Sequence, residues 1–78
     1  MLMNVLTDED QAMIGKRFSY NWDADGEQIE RLERLEAAMK QCAVDIMQYC
    51  PNSRARSIAL THLDEAALMA YASVTREE

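Results

Sequence analysis

From residue 27 onward, apolar side chains recur at helical spacing. Leu32, Met39 and Ile46 form one seven-residue series, and Leu35, Cys42 and Tyr49 form a second one interleaved with it. That is the pattern of a helix that lays one seam against a neighbour, and it predicts a long helix from about Glu27 to Cys50. Glu27, Glu30, Arg31, Glu33, Arg34, Glu36 and Lys40 fall mostly off the seam and read as a solvated charged face. Cys50-Pro51-Asn52-Ser53 then closes one helix and opens another. The residue before a proline is driven out of α geometry, and Asn52 or Ser53 can cap the next N-terminus. A second long helix is predicted from about Ser53 to Thr75, with a seam of Leu60, Leu63, Ala67, Ala70 and Val74. A flanking stripe of Ala59, Ala66, Met69 and Ser73 widens its apolar arc beyond what one partner helix covers.

Upstream, Thr7-Asp8-Glu9-Asp10 places a capping hydroxyl before an acidic first turn. It predicts either a flexible arm or a short helix from about Asp8 to Arg17, with Leu6, Ala12 and Met13 inward. Lys16 and Arg17 then suit the negative helix end. Residues 18–26 read as a loop with Phe18, Tyr20 and Trp22 at alternate positions, which sends their rings to one side of an extended segment. That row is either a hydrophobic latch across the helices or a stacking surface for a planar ligand. The fold class predicted is all-α: one helical domain over residues 1–78, an antiparallel two-helix hairpin (27–50 and 53–75) preceded by a short helix or arm (7–17).

Composition supports helices. Six methionines, few aromatics and only Pro51, Gly15 and Gly26 as chain-breakers suit packed helices better than a sheet. Seventy-eight residues lie near the size at which a single core supplies only a few kcal/mol. A lone hairpin is marginal at that size, so a homo-oligomer is expected, with the small residues of the last helix letting chains approach closely.

A net charge of −6 argues against a DNA or RNA polymer as partner, since that needs a broad positive surface. A local basic pocket for a small anion stays open. No stretch approaches a membrane span, and Met1–Leu6 is too short for a signal peptide. Cys42 and Cys50 are roughly 12 Å apart along one helix, too far for a disulfide, and read as buried free thiols of a reducing cytoplasm. One histidine, His62, leaves no zinc set and no nucleophile–base arrangement. Asp64 and Glu65 are adjacent and face different sides of their helix. No enzyme and no cofactor is the resulting expectation.

The candidate chemistry is basic. Arg54 and Arg56 occupy a first helical turn, where acids are preferred. Such a turn is either a small electrostatic cost or half of an anion site built with free backbone N–H groups. The Ser53 and Ser57 hydroxyls are close by, and Thr61 lies two turns beyond Arg54 on the same face. An oligomer axis would gather several copies of Arg54 and Thr61 around one multivalent anion.

The segment Cys50-Pro51-Asn52-Ser53-Arg54 through Leu60-Thr61-His62-Leu63-Asp64-Glu65-Ala66, with Met69, resembles the C-terminal hairpin of a phage immune-evasion family. These are the anti-CBASS and anti-Thoeris sponges, which sequester cyclic nucleotide signals. Phe18-Ser19-Tyr20-Asn21 and Gly26-Glu27-Gln28-Ile29-Glu30-Arg31 resemble the start of the same hairpin, so the likeness spans about residues 18 to 75. It implies a phage-encoded homohexamer in the host cytoplasm that binds cyclic di- or trinucleotides without cleaving them and so keeps host effectors inactive. It further implies that Tyr20 stacks on a base in a dinucleotide site between protomers. Arg54 and Thr61 match the arginine and threonine of a separate site near a three-fold axis. On the sponge reading, Arg56 joins Arg54 in neutralising phosphate. Three positions depart from the family pattern. Glu36 stands where a basic residue is common, with Arg34 and Lys40 within one turn as its substitutes. Ala55 replaces an acid, and Met69-Ala70-Tyr71 lacks a tryptophan. The competing expectations are a sponge for a cyclic ADP-ribose isomer, a helical protein–protein interaction module with no small ligand, and a purely structural oligomer.

Overall fold

Three side-chain oxygens start three helices in the computed structural model, which describes residues 3–19 and 25–77. The helices are α1 (Asp8–Arg17), α2 (Gly26–Tyr49) and α3 (Arg54–Arg76); no strand occurs among the described residues. At α1, the Asp10 N–H donates to Thr7 Oγ1 at 3.1 Å and the Thr7 N–H donates to the Asp10 carboxylate at 3.0 Å, a reciprocal capping box. Asp25 accepts from the Gln28 N–H at 3.3 Å to open α2, and Ser53 accepts from the Arg56 N–H at 3.2 Å to open α3. Each contact satisfies one donor that a helix start leaves without an intrahelical partner.

Hydrogen bonds at both ends fix α2 and α3 as antiparallel. At one end Gln28 Nε2 donates to Val74 O at 3.4 Å and to Glu77 at 3.1 Å, and Arg31 reaches Glu77 at 3.0 Å. At the other end Arg56 Nη1 donates to Met47 O at 3.4 Å. Leu32, Ala43 and Met47 of α2 meet Leu60, Ala67 and Tyr71 of α3 in the core, and Ile14 and Phe18 close it from α1. Phe18 and Leu32 are the largest side chains wholly out of solvent among the described residues.

The α3 seam holds, with Leu63 and Val74 packed on the buried set and Ala70 half-buried. Tyr71 joins it. The second α2 series does not hold: Leu35 packs on the core, but Cys42 is exposed and Tyr49 is 62% exposed. A strict seven-residue repeat slips by about 20° per heptad on a straight helix. Leu35 already lies at the seam's edge, so two more heptads carry Tyr49 outside it, and Ala43 and Met47 take the inner positions. Cys42 is therefore an exposed free thiol and Cys50 a half-buried one, where two buried thiols were expected. In α1 the inward residues are Met13 and Ile14, with Leu6 packed alongside, while Ala12 is exposed. Phe18, the α1 C-cap, is buried and acts as a latch.

The last turn of α2 has no basic residue of its own. Its carbonyls are served from outside. The Asn4 N–H donates to Gln48 O at 2.6 Å, and Asn4 Nδ2 donates to Met47 O at 2.9 Å and Cys50 O at 2.8 Å. At the far end of α3, Glu77 adopts a left-handed φ of 58° and its N–H closes the helix on Ser73 and Val74. The Gln28 and Arg31 contacts hold the Glu77 carboxyl below the usual glutamate range.

Among the described residues, Tyr71 is the only titratable group of the buried core. Burial, then the negative charges of Glu36 and Asp64, push its hydroxyl from 10.0 up to about 12. Unfolded Tyr71 releases its proton near 10, whereas the folded chain keeps it to about 12. Stability from this group is therefore intact below pH 10 and is lost as pH rises through about 12. We expect the melting temperature to fall more steeply above pH 10 in the native chain than in Tyr71→Phe. Parallel alkaline melts by circular dichroism check this, and identical slopes would contradict it.

Candidate functional site

A helix turn advances about 100° per residue, so Arg54, Ile58, Thr61, Leu68 and Met69 fall within roughly one outward arc of α3. That arc lies opposite the buried Leu60, Ala67 and Tyr71. Leu68 is 50% and Met69 66% exposed. Arg54 and Thr61, singled out by spacing, thus share one surface with these large apolar residues and with the exposed Glu65, which lies about 20° round the helix from Arg54.

The two arginines of the first turn differ in what they touch. Arg54 is exposed and makes no hydrogen bond or ion pair with any described residue. Arg56 is half-buried and folded back across the α2–α3 turn, donating to Met47 O at 3.4 Å and to Asn52 Oδ1 at 3.1 Å. A guanidinium against the last carbonyls of α2 meets the negative end of that helix, so Arg56 holds the turn together. The serines are also occupied: Ser53 caps α3 and the Ser57 hydroxyl donates to Ser53 O at 3.3 Å.

Thr61 lies beside α1. Its hydroxyl donates to Ser57 O at 3.1 Å, and its oxygen faces Arg17, whose Nη2 is 3.5 Å away. Arg17 Nε stands 3.7 Å from the Asp64 carboxylate, and the guanidinium lies over the Phe18 ring at 5.8 Å. In the sequence, Arg17 reads only as a favourable charge at a helix end. Its contacts with Thr61 and Asp64, 44 and 47 residues away, depend on α1 docking and carry no local signal.

On the other flank of α2, a groove of about 200 Å³ is lined by Glu33, Glu36, Ala37 and Lys40. Lys40 Nζ is 2.8 Å from Glu36, and Ser19 Oγ donates to the same carboxylate oxygen at 3.4 Å. Lys40 thus neutralises Glu36, and Glu33 leaves the groove negative. Arg34 faces away from this groove, paired at 3.8 Å with Glu30 at the surface, where such pairs contribute little. Tyr20, with Trp22, lies outside the described residues. His62 is exposed, 3.7 Å from Glu65. No group of three or more His, Cys, Asp or Glu suited to a metal forms among the described residues. No described helix is long and apolar enough to cross a membrane.

A family model described as Acb2/Tad1, hairpin domain, matches residues 10–75, taking in all three helices. The chain belongs to the Acb2/Tad1 hairpin family. This is the family of the anti-CBASS and anti-Thoeris sponges, so the likeness carried by the Ser53–Met69 stretch holds and reaches back through α1. No curated protein and no solved structure matches the chain significantly. Within the Acb2/Tad1 hairpin, α2 and α3 are the two arms. Arg17 and Phe18 of α1 lie inside the matched region.

Proposed function

We propose that this chain is a phage sponge that captures a cyclic oligonucleotide messenger in the host cytoplasm and withholds it, uncleaved, from host effectors. Membership of the Acb2/Tad1 family supplies the class. The observation that carries the choice of site is Arg54, an exposed guanidinium without a partner among the described residues, on one face with Thr61. A guanidinium with free donors matches a phosphodiester, and its charge-assisted bonds are about twice as strong as neutral ones.

The apolar residues around Arg54 and Thr61 support a homo-oligomer, and a homohexamer is our reading. Ile58, Leu68 and Met69 are then covered by other copies, and Arg54 and Thr61 repeat about the axis to meet a cyclic trinucleotide. Arg56 acts at one remove by holding the turn that presents Arg54. The dinucleotide site, with Tyr20 stacking on a base, would have to draw its cation from Lys40 or Arg34. The Lys40–Glu36 pair and the outward placement of Arg34 make it the weaker of the two.

Calorimetric titration with cyclic dinucleotides, cyclic trinucleotides and cyclic ADP-ribose isomers tests the reading. We expect heat with a cyclic trinucleotide and intact ligand recovered after denaturation. Heat only with a cyclic ADP-ribose isomer moves the chain to Thoeris-type capture. Silence with every ligand sinks the sponge and favours a protein-binding helical module. Degraded ligand would mean an enzyme.

A further inference from the structure

The Thr61 hydroxyl, as it stands, is turned the wrong way for an anion. Its proton goes to Ser57 O at 3.1 Å, so its lone pairs are what it shows to a neighbour. A phosphate oxygen is an acceptor and needs a donor there. The donor already present is Arg17, whose Nη2 reaches Thr61 Oγ1 at 3.5 Å from the end of α1.

We infer that Arg17 is a second phosphate-binding cation of the α3 site, gripping a phosphodiester beside Thr61 while Asp64 competes for the same guanidinium. This rests on the sponge reading and names a residue of its site. Arg17 is held loosely enough to turn. Its ion pair with Asp64 is long, at 3.7 Å, its bond to Thr61 lies at the outer limit, and its side chain is 33% exposed. A guanidinium carries more N–H donors than these two contacts use. Arg54 and Thr61 are seven residues apart, roughly 10 Å along α3, so Arg17 sets a second charge at the opposite end of the span from Arg54. A ring with several phosphates can engage both ends at once, whereas a single phosphate reaches one.

Asp64 sets the selectivity. Its carboxylate holds Arg17 in place when no ligand is bound, and it repels any anion that fails to displace it. Only a ligand with enough charge to take Arg17 from Asp64 is retained.

The test is a double-mutant cycle read by calorimetry with cyclic triadenylate, with melting curves and oligomer mass recorded for each variant. We expect Arg17→Ala to weaken binding at least tenfold and Arg17→Lys to restore part of the loss. Asp64→Asn tightens binding severalfold, and that gain disappears when Arg17 is also Ala. A purely structural Arg17–Asp64 pair predicts otherwise: Asp64→Asn lowers the melting temperature without tightening. If the native chain binds and Arg17→Ala binds equally well, the Arg17 assignment is wrong and the sponge reading stands. Should the native chain bind nothing, the sponge reading falls and takes this assignment with it.

Discussion

Arg54→Ala is expected to weaken capture of a cyclic trinucleotide by about a hundredfold or more, with the oligomer mass unchanged. A hydrogen bond to a charged group contributes about 1.5–3 kcal/mol, and each 1.4 kcal/mol is about tenfold in affinity. One lost Arg–phosphate contact therefore costs about ten- to a hundredfold. A ligand on a rotation axis loses the contact from every copy it touches, which carries the effect past that figure. The structural cost is small, because Arg54 is exposed and holds no described residue in place. Arg56→Ala should behave in the opposite way. It releases Met47 O and Asn52, lowers the melting temperature, and weakens capture far less than Arg54→Ala, only through the loosened turn. Calorimetry and mass measurement on the two variants separate the roles. Native-like binding by Arg54→Ala would remove the α3 face as the ligand site.

Phe18→Ala carries the largest expected loss of stability. Phe18 is wholly buried at the α1 C-cap, where it joins Ile14 to the α2–α3 core. Truncating a buried phenylalanine costs about 3–5 kcal/mol, the lost transfer energy plus the cavity left behind. A domain of this size has a total stability of only about 4–12 kcal/mol. At about 4–8 °C per kcal/mol for a chain this short, the melting temperature should drop by at least about 12 °C. Val5→Ala, at a position 89% exposed, is the control and should change nothing measurable. Thermal melts followed by circular dichroism decide it, and a shift under about 4 °C would mean that α1 is not held by this ring. The same variant should also weaken ligand capture if Arg17 reaches Thr61 only when α1 is docked.

Much of the helical layout could be read from short-range chemistry. Thr7 with Asp10, and Ser53 before Arg54, are local caps, and local caps are visible in a sequence. The α3 seam was also legible, because Leu60, Leu63, Ala67, Ala70 and Val74 alternate by three and four and the series is centred on Leu60 and Ala67, both in the buried core. The Leu35–Cys42–Tyr49 series has the same spacing but starts at the seam's edge, so a drift of about 20° per heptad carries its later members out, whereas Leu32–Met39–Ile46 starts at the centre and stays packed. Ile14 was missed because α1 is too short for its periodicity to separate one face from another. The rest is tertiary. Whether a first-turn arginine faces solvent, as Arg54 does, or folds onto the preceding helix, as Arg56 does, depends on the angle of the turn. Arg17 reaching Thr61, and Lys40 neutralising Glu36, are choices of side-chain partner that spacing alone leaves open.

The two ends of α2 have a practical meaning for anyone shortening this chain. Its C-terminal carbonyls are capped by Asn4, and its N-terminal turn is tied through Gln28 and Arg31 to Glu77. Residues that look like tails are therefore parts of the central helix borrowed from 43 to 49 positions away. Trimming either one would unravel α2 from the corresponding end, so the smallest unit that keeps the hairpin whole is longer than the hairpin.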